Sequence, residues 1–277
     1  MIDRRLKKAY VEITNRCNKS CSFCHGTKRV PRDMTAEEFA RVLNELQGVT
    51  EYIYLHVLGE PLCHPRIIEF IKTATERGFK VSVTTNGTLL TDSLLDSGVY
   101  KVQISLHSFE EDDERAHREY LEGVFDFSQR ASKKGILVSL RLWNLNSEAS
   151  NSLVEGMLEE RFPKPWRVGR DNSFTLESNL FLNYANRFEW PDINAHDNGE
   201  RLFCYGLRDQ IGILADGTVV PCCLDAEGDI PLGNVYTTSM ADIMSSPRAK
   251  AVYDGFSKRQ ATEELCRKCS YAKKFHK

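Results

Sequence analysis

The chemistry in this chain is written in its cysteines, which are nine in number and clustered. Cys17, Cys21 and Cys24 follow an x3, x2 spacing; Cys222 and Cys223 are adjacent; Cys266 and Cys269 are separated by two residues; Cys63 and Cys204 stand alone. Thiolates are soft ligands suited to iron–sulfur clusters or zinc. The first triplet offers three ligands from one loop. A four-iron cubane held that way keeps one iron open to chelate a small molecule. A structural zinc instead recruits a fourth Cys or His, and His25 is adjacent, so this loop alone leaves both metals open.

The C-terminal set reads Cys204-x12-Gly217-x4-Cys222, then 43 residues, then Cys266-x2-Cys269. Asp216-Gly217 is a hairpin signal between ILA and TVVPC. The hairpin brings Cys204 and Cys222 into register, and the terminal pair clips the tail to the same place. Four thiolates complete either a cubane or a tetrahedral zinc. Cys222 and Cys223 cannot easily share one cluster, because neighbouring side chains diverge. One of the two is therefore left over.

Elements must position these groups. KKAYVEIT reads as a first strand, followed by a helix from Ala36 to about Gln47 that Thr35 caps, with Glu38 at the reciprocal position. Strands are expected over 52–57, 79–85, 100–107 and 136–143. Helices are expected over 65–77 and 90–97, from the charged segment EEDDERAHREY onward, and from a cap at Ser147 to about Arg161. Strands alternating with helices imply parallel βαβ units. Five strands, with a sixth near 172–183, predict an α/β fold: a partial, TIM-like (β/α)6 barrel. In parallel α/β folds the chemistry sits at the C-terminal ends of the strands. The cysteine loop, Gly59-Glu60-Pro61, Asn86-Gly87 and Ser105-Leu106-His107 all fall there. The division expected is 1–161 for the barrel core and 162–203 for a bridge rich in Pro, Asn and aromatics. Residues 204–277 are expected to form a small, loop-rich α+β iron–sulfur domain. Trp166, Arg167 and Trp190 of the bridge either line a substrate or simply pack.

Bulk properties exclude other classes. With 277 residues, 41% hydrophobic, 27% charged and a net charge of −2, the chain is ordinary globular protein. No basic face suggests a nucleic-acid partner. No stretch approaches the ~20 apolar residues that span a bilayer, so no membrane partner is expected. Without a signal peptide, and with clustered rather than paired cysteines, a cytoplasmic location is expected.

The context of the first triplet resembles the radical SAM (S-adenosylmethionine) superfamily. CNKSCSFC follows a strand ending Glu-Ile-Thr-Asn-Arg. Leu58-Gly59-Glu60-Pro61 is similar to that family's Gly-Gly-Glu-Pro motif, with Leu58 replacing the first glycine. Thr85-Asn86-Gly87 and Ile104-Ser105-Leu106 also match, and the resemblance covers about residues 8–160. It implies a 4Fe-4S cluster on Cys17, Cys21 and Cys24, with SAM on the open iron, cleaved reductively to a 5′-deoxyadenosyl radical that takes a hydrogen atom from the substrate. It also implies a low-potential donor, a flavodoxin or ferredoxin. By this resemblance Gly59, Glu60 and Pro61 hold the SAM ammonium and Ser105 meets the ribose. Asn86 belongs to the same cofactor-binding set. Phe23 packs near the adenine or shields the cluster. Arg118 and Arg141 are the candidates for the SAM carboxylate, since a cation pairs well with it. His107 stands where many members have Asp; it is either a catalytic base or a packed histidine. His56 and Glu12 are candidates to face inward, and Cys63 reads as a small core residue.

The C-terminal set resembles the twitch and SPASM extensions of that superfamily, with ligands for one auxiliary 4Fe-4S cluster on Cys204, Cys222, Cys266 and Cys269. The layout is similar to that of 2-deoxy-scyllo-inosamine dehydrogenase. A fully ligated cluster suits electron transfer, so the first reading is oxidation of a small molecule. The second is modification of a ribosomally made peptide, by cross-linking or epimerisation, with Cys223 as hydrogen-atom donor. Only about seven residues precede the first strand, so leader recognition is expected to be external or to use the bridge. A non-enzymatic zinc protein is the reading from another class.

Overall fold

In a computed structural model the residues described are 5–110, 113–146 and 151–275. In chain order they form β1 (Lys8–Val11), α1 (Ala36–Leu46), β2 (Tyr52–Tyr54), α2 (Ile67–Glu76), β3 (Lys80–Thr85), α3 (Asp92–Leu95), β4 (Lys101–Ser105), α4 (Glu114–Lys133), β5 (Leu137–Leu142) and α5 (Ser152–Arg161). There follow β6 (Arg167–Val168), β7 (Ser173–Glu177), β8 (Leu180–Tyr184), β9 (Gln210–Ile213), β10 (Thr218–Val220), β11 (Gly233–Asn234), α6 (Met240–Ser245), α7 (Pro247–Ser257) and α8 (Glu264–Arg267). Contacts divide the chain into two compact units. One comprises 1–18, 25–64 and 188–277; the other comprises 19–24 and 65–187.

In the first unit β9 and β2 flank β1, both parallel to it, with Ala9 opposite Ile53 on one side and Ile211 on the other. Strands β10 and β11 continue antiparallel beyond β9. Ala9, Val11 and Ile13 are wholly buried, as an apolar face requires, and Lys8, Tyr10 and Glu12 take the opposite face. The Asp216-Gly217 turn expected from sequence joins β9 to β10. Gly217 has φ +85, and a Cβ there would come within 2.6 Å of the Tyr236 ring. The hairpin strand β9 thus joins the same sheet as the first strand of the chain.

In the second unit β3, β4, β5 and β8 lie parallel in that order, and β7 and β6 close the edge antiparallel. Where one sixth strand was expected near 172–183, two are found. Asn179, at φ +61, turns β7 back into β8, a conformation asparagine tolerates. The parallel α/β fold class is as expected, with several strands shorter than their apolar runs. The capping box of α1 is present, with Thr35 Oγ1 accepting from Glu38 N at 3.2 Å and Glu38 Oε2 from Thr35 N at 2.8 Å. Asp113 caps α4 by accepting from Arg115 N at 2.9 Å. The cap expected at Ser147 lies outside the described residues.

Candidate functional site: two cysteine sites and the strand ends beside them

The division between units falls inside the first cysteine loop, with Cys17 in one unit and Cys21 and Cys24 in the other. Cys17 and Cys24 are exposed and Cys21 is partly so. The loop turns on itself where Cys24 N donates to the Cys21 carbonyl at 3.0 Å. Cys21 Sγ donates to the Ser108 carbonyl at 3.5 Å, and Ser22 gives both its N and its Oγ to Glu110, at 2.7 and 2.6 Å. Phe23 packs its ring 5.0 Å from His107, with the Arg187 guanidinium 5.7 Å from its centre. Three thiols on an accessible loop fit a cluster that must also receive a small-molecule ligand.

In the first unit the turn after β2 requires glycine. Gly59 has φ +75, and a Cβ would lie 2.6 Å from the Thr14 carbonyl and 2.8 Å from that of Arg16. Glu60 N donates to the Arg16 carbonyl at 2.8 Å, and the buried Glu60 carboxylate accepts from Leu62 N at 3.0 Å. Pro61 opens the short 3-10 turn that follows. Cys63, read from sequence as core, is only partly buried. His64 is buried instead, its Nε2 donating to the Met34 carbonyl at 3.0 Å.

In the second unit Asn86 Oδ1 accepts from Thr88 N and Oγ1 at 2.9 and 2.7 Å, and its carbonyl accepts from Tyr120 at 2.7 Å. Ser105 ends β4 opposite Arg141 of β5, and its carbonyl accepts from Ser108 Oγ at 2.6 Å. The Arg141 guanidinium lies 3.5 Å above the Trp143 ring. Arg118 pairs with Glu114 one helical turn away, at 2.9 Å. His107 Nδ1 donates to the Arg141 carbonyl at 3.1 Å. Burial pushes its pKa down to about 4, the carbonyl bond only partly opposing, so the ring is neutral at pH 7.

The second cysteine set lies wholly in the first unit. Cys204, Cys222, Cys266 and Cys269 line one cavity whose other walls include Leu202, Pro221, Leu265 and Phe256. As whole residues they are partly exposed, yet their thiols point into this apolar space. Burial pushes the Cys204 thiol up to about 11, holds those of Cys222 and Cys266 well above their ordinary value, and raises that of Cys269. For Cys222 and Cys266 neighbouring thiols add to the effect, since like charges resist ionising together. Bonding to a metal removes that obstacle. Among the described residues no three His, Cys, Asp or Glu side chains gather tightly enough to share a single ion; the four thiols stand around a shared space, and an all-thiolate set fits an iron–sulfur cluster. Beside it, Asp225 is buried and accepts from Asp229 N and Ile230 N at 2.8 and 2.9 Å; burial pushes its pKa up to about 6.

Cys223 takes the other direction, as adjacent residues do. It packs on a cluster formed by Tyr10, Val57, Leu58, Leu214, Val220 and Ala226, together with Tyr54 and Trp190. The Tyr10 hydroxyl is raised well above its ordinary value by burial first and then by Cys223. Trp190 also stacks on His25 at 5.9 Å. Trp166, in the other unit, donates Nε1 to the Phe162 carbonyl at 2.7 Å, and Arg167 is exposed.

One buried pair was not anticipated. Glu12 was expected to face inward, and it does, but Arg29 meets it with a two-pronged ion pair. Alternation along β1 marks Glu12 as a carboxylate on an inner face; nothing local marks Arg29 as its partner.

Comparison with known proteins decides the family. Residues 11–155 match the radical SAM superfamily, and residues 204–270 match SPASM, an iron-sulfur cluster-binding domain. The chain belongs to the radical SAM superfamily. It carries the cluster-binding sites that membership and the SPASM match imply: a SAM-binding 4Fe-4S site, and an auxiliary one.

A curated relative, the sporulation killing factor maturation protein SkfB of Bacillus subtilis, is 28% identical over 272 residues, covering 86% of this chain and 64% of that protein. The chain spans only 26%, 42% and 29% of the length of three other curated relatives that it matches. Among solved structures, BtrN in complex with AdoMet and 2-DOIA superposes with a TM-score of 0.61 at 18% identity, covering 97% of this chain and 94% of that one. SuiB of Streptococcus suis bound to the precursor peptide SuiA gives 0.59 at 14% identity, with 97% and 70% covered. These likenesses extend the shared fold over nearly the whole chain. Among the described residues, no helix is long and apolar enough to cross a membrane.

Proposed function

We propose that this radical SAM enzyme oxidises a small molecule by two electrons: one would leave with the hydrogen atom taken by the 5′-deoxyadenosyl radical, and the other would pass to a cluster held by Cys204, Cys222, Cys266 and Cys269 as the substrate releases a proton. The observation that carries the reading is the contrast in thiol placement: three on an accessible loop, four lining an apolar cavity. A cluster with all its ligands from protein suits electron transfer. When bound, the first cluster and SAM supply a 5′-deoxyadenosyl radical that takes a hydrogen atom from the substrate.

The chain's own residues do the rest. Cys17, Cys21 and Cys24 hold three irons. The Gly59-Glu60-Pro61 turn offers oxygens to the SAM ammonium, and its glycine permits close backbone approach. Ser105 and Asn86 serve the nucleoside. Arg141, register partner of Ser105, is better placed for the SAM carboxylate than Arg118, which Glu114 already engages. Phe23 and neutral His107 pack ring to ring and exclude water. We assign His107 this packing role rather than that of a base, because a proton on it is disfavoured at pH 7. Cys204, Cys222, Cys266 and Cys269 hold the auxiliary cluster. Functionally we keep 1–161 as the barrel core, 162–203 as the bridge and 204–277 as the auxiliary domain.

The reading is supported by the match to BtrN over nearly its whole length. A second reading, modification of a ribosomally made peptide, is favoured by the alignment with SkfB across most of this chain and by the likeness to peptide-bound SuiB. In that case Cys223, packed beside Tyr10 and away from the cavity, is the candidate hydrogen-atom donor. We place the enzyme in the cytoplasm, where thiols stay reduced, with a flavodoxin or ferredoxin as donor.

The test begins with the wild-type protein, reconstituted anaerobically. About eight irons per chain and 5′-deoxyadenosine formation from SAM are expected for two cubanes; zinc at both sites would sink the assignment. Product of an added candidate substrate is then analysed in D2O. Loss of two hydrogens supports oxidation. Solvent deuterium in the product, lost in Cys223→Ala, supports the second reading instead.

A further inference from the structure

Glu12, in the first unit, is wholly inaccessible and accepts four hydrogen bonds. Its Oε1 accepts from Arg29 Nη2 at 2.6 Å and from Leu58 N at 3.2 Å. Its Oε2 accepts from Arg29 Nη1 at 2.7 Å and from Ala215 N at 3.0 Å. Arg29 then donates Nε to the Ala226 carbonyl at 2.9 Å. Every polar atom of the pair is used along a fixed direction.

The places these bonds reach are what matters. Glu12 lies just past the end of β1, ahead of the cysteine loop, and Arg29 follows that loop in sequence. Leu58 N begins the turn that carries Gly59, Glu60 and Pro61. Ala215 is in the turn between β9 and β10. Ala226 follows Cys222 and Cys223. Neighbouring bonds repeat the pattern: Arg32 Nε donates to the Ala215 carbonyl at 2.9 Å, and Lys28 N donates to Glu227 at 3.2 Å. The residue that departs from the family's Gly-Gly-Glu-Pro pattern seals the same junction. Leu58, 7% exposed, packs with Tyr10, Leu214, Val220 and Ala226.

Stability alone is a weak reason to keep two charges in such a seam. Desolvating a buried ion pair costs about what its attraction returns, and apolar side chains of similar volume do as well or better. A carboxylate with four directed partners does something packing cannot: it sets the relative position of the segments that share it.

We propose that Glu12 and Arg29 are a positioning pair that locks the SAM-binding turn to the auxiliary-cluster loop, so that the geometry of both sites is set by one buried carboxylate. The inference rests on the assignment of Gly59–Pro61 to SAM and of Cys222 to the auxiliary cluster. Glutamine at position 12 places an NH2 against donors. One of the two oxygens is lost as an acceptor, and with the charge gone Arg29 no longer grips the other, so the Leu58 and Ala215 ends are both loosened.

The test uses the full-length chain and SAM alone as the probe. Wild-type iron content and SAM cleavage first establish the underlying assignment; their absence would defeat that assignment rather than this one. In Glu12→Gln, with iron retained, SAM binding is expected to weaken about 10-fold, about 1.4 kcal/mol. The electron paramagnetic resonance signal of the reduced auxiliary cluster is expected to change in the same variant. In the metal-free chain, the amides of Leu58 and Ala215 should exchange with solvent at least ~10-fold faster. A general loss of stability moves neither the cluster signal nor these two amides selectively. If only one site responds, or neither does, the coupling is overturned. Should Glu12→Gln fail to fold, Arg29→Lys, which keeps the charge but loses the two-pronged contact, is judged by the same two signals.

Discussion

The two cysteine regions use the same donor atom in opposite surroundings. Cys17 and Cys24 stand exposed on a loop held by Glu110 and Ser108 at its edge. Cys222 and Cys266 point into an apolar cavity where burial suppresses their ionisation. The first arrangement suits a metal group that must meet a ligand from solution. The second suits one that is sealed and handles electrons. Ligand chemistry is thus shared, and access divides the labour.

The sharpest break of that comparison comes from removing ligands one site at a time. Cys17→Ala, Cys21→Ala or Cys24→Ala should each abolish 5′-deoxyadenosine formation while about four irons remain; Cys266→Ala should also lose about four irons and yet keep some SAM cleavage. Full iron content in Cys266→Ala would show that the second site is misassigned. Next in size is Gly59→Ala. Its new Cβ meets the Thr14 carbonyl at 2.6 Å at a positive φ, so SAM binding should fall by at least ~10-fold, about 1.4 kcal/mol. The auxiliary-cluster spectrum should stay as in wild type, in contrast with Glu12→Gln. Isothermal titration with SAM, alongside the spectrum, measures both.

A smaller effect should appear without any metal. In the reduced, iron-free chain at pH 8, a thiol reagent is expected to label Cys17 and Cys24 about 10-fold or more faster than Cys222 and Cys266, because the first two are exposed to the reagent while burial holds the other two thiols well above their ordinary value. Peptide mapping by mass spectrometry reads this, and equal rates would erase the distinction between open and closed sites. The smallest effect concerns His107. Its folded pKa, about 4, lies below the ordinary 6.5. Between those values the unfolded chain binds a proton that the folded chain refuses, so stability is lost as pH falls through this window and is complete above it. His107→Asn should therefore lessen the drop in urea midpoint between pH 7 and 5.

Both cluster sets were legible in the sequence because ligand spacing is local. The Asp216-Gly217 hairpin was legible for the same reason, since a tight turn needs particular residues. The expected sixth strand was harder. Periodicity over 172–183 signals extended chain but does not say that Asn179 turns it back, making two strands. The pairing of Arg118 with Glu114 is local, one helical turn apart, whereas the place of Arg141 opposite Ser105 follows only from strand register.

Sequence alone marked the thiols proposed to bind metal and how many each set offers, and it predicted parallel βαβ units for the strands that alternate with helices. Those properties follow from spacing and period, which a few residues encode. Tertiary structure decided which thiols are open and which are closed, that Cys223 turns away from Cys222, and that Arg29 meets Glu12. Each depends on segments distant in the chain, and burial and partner choice exist only once those segments are packed together.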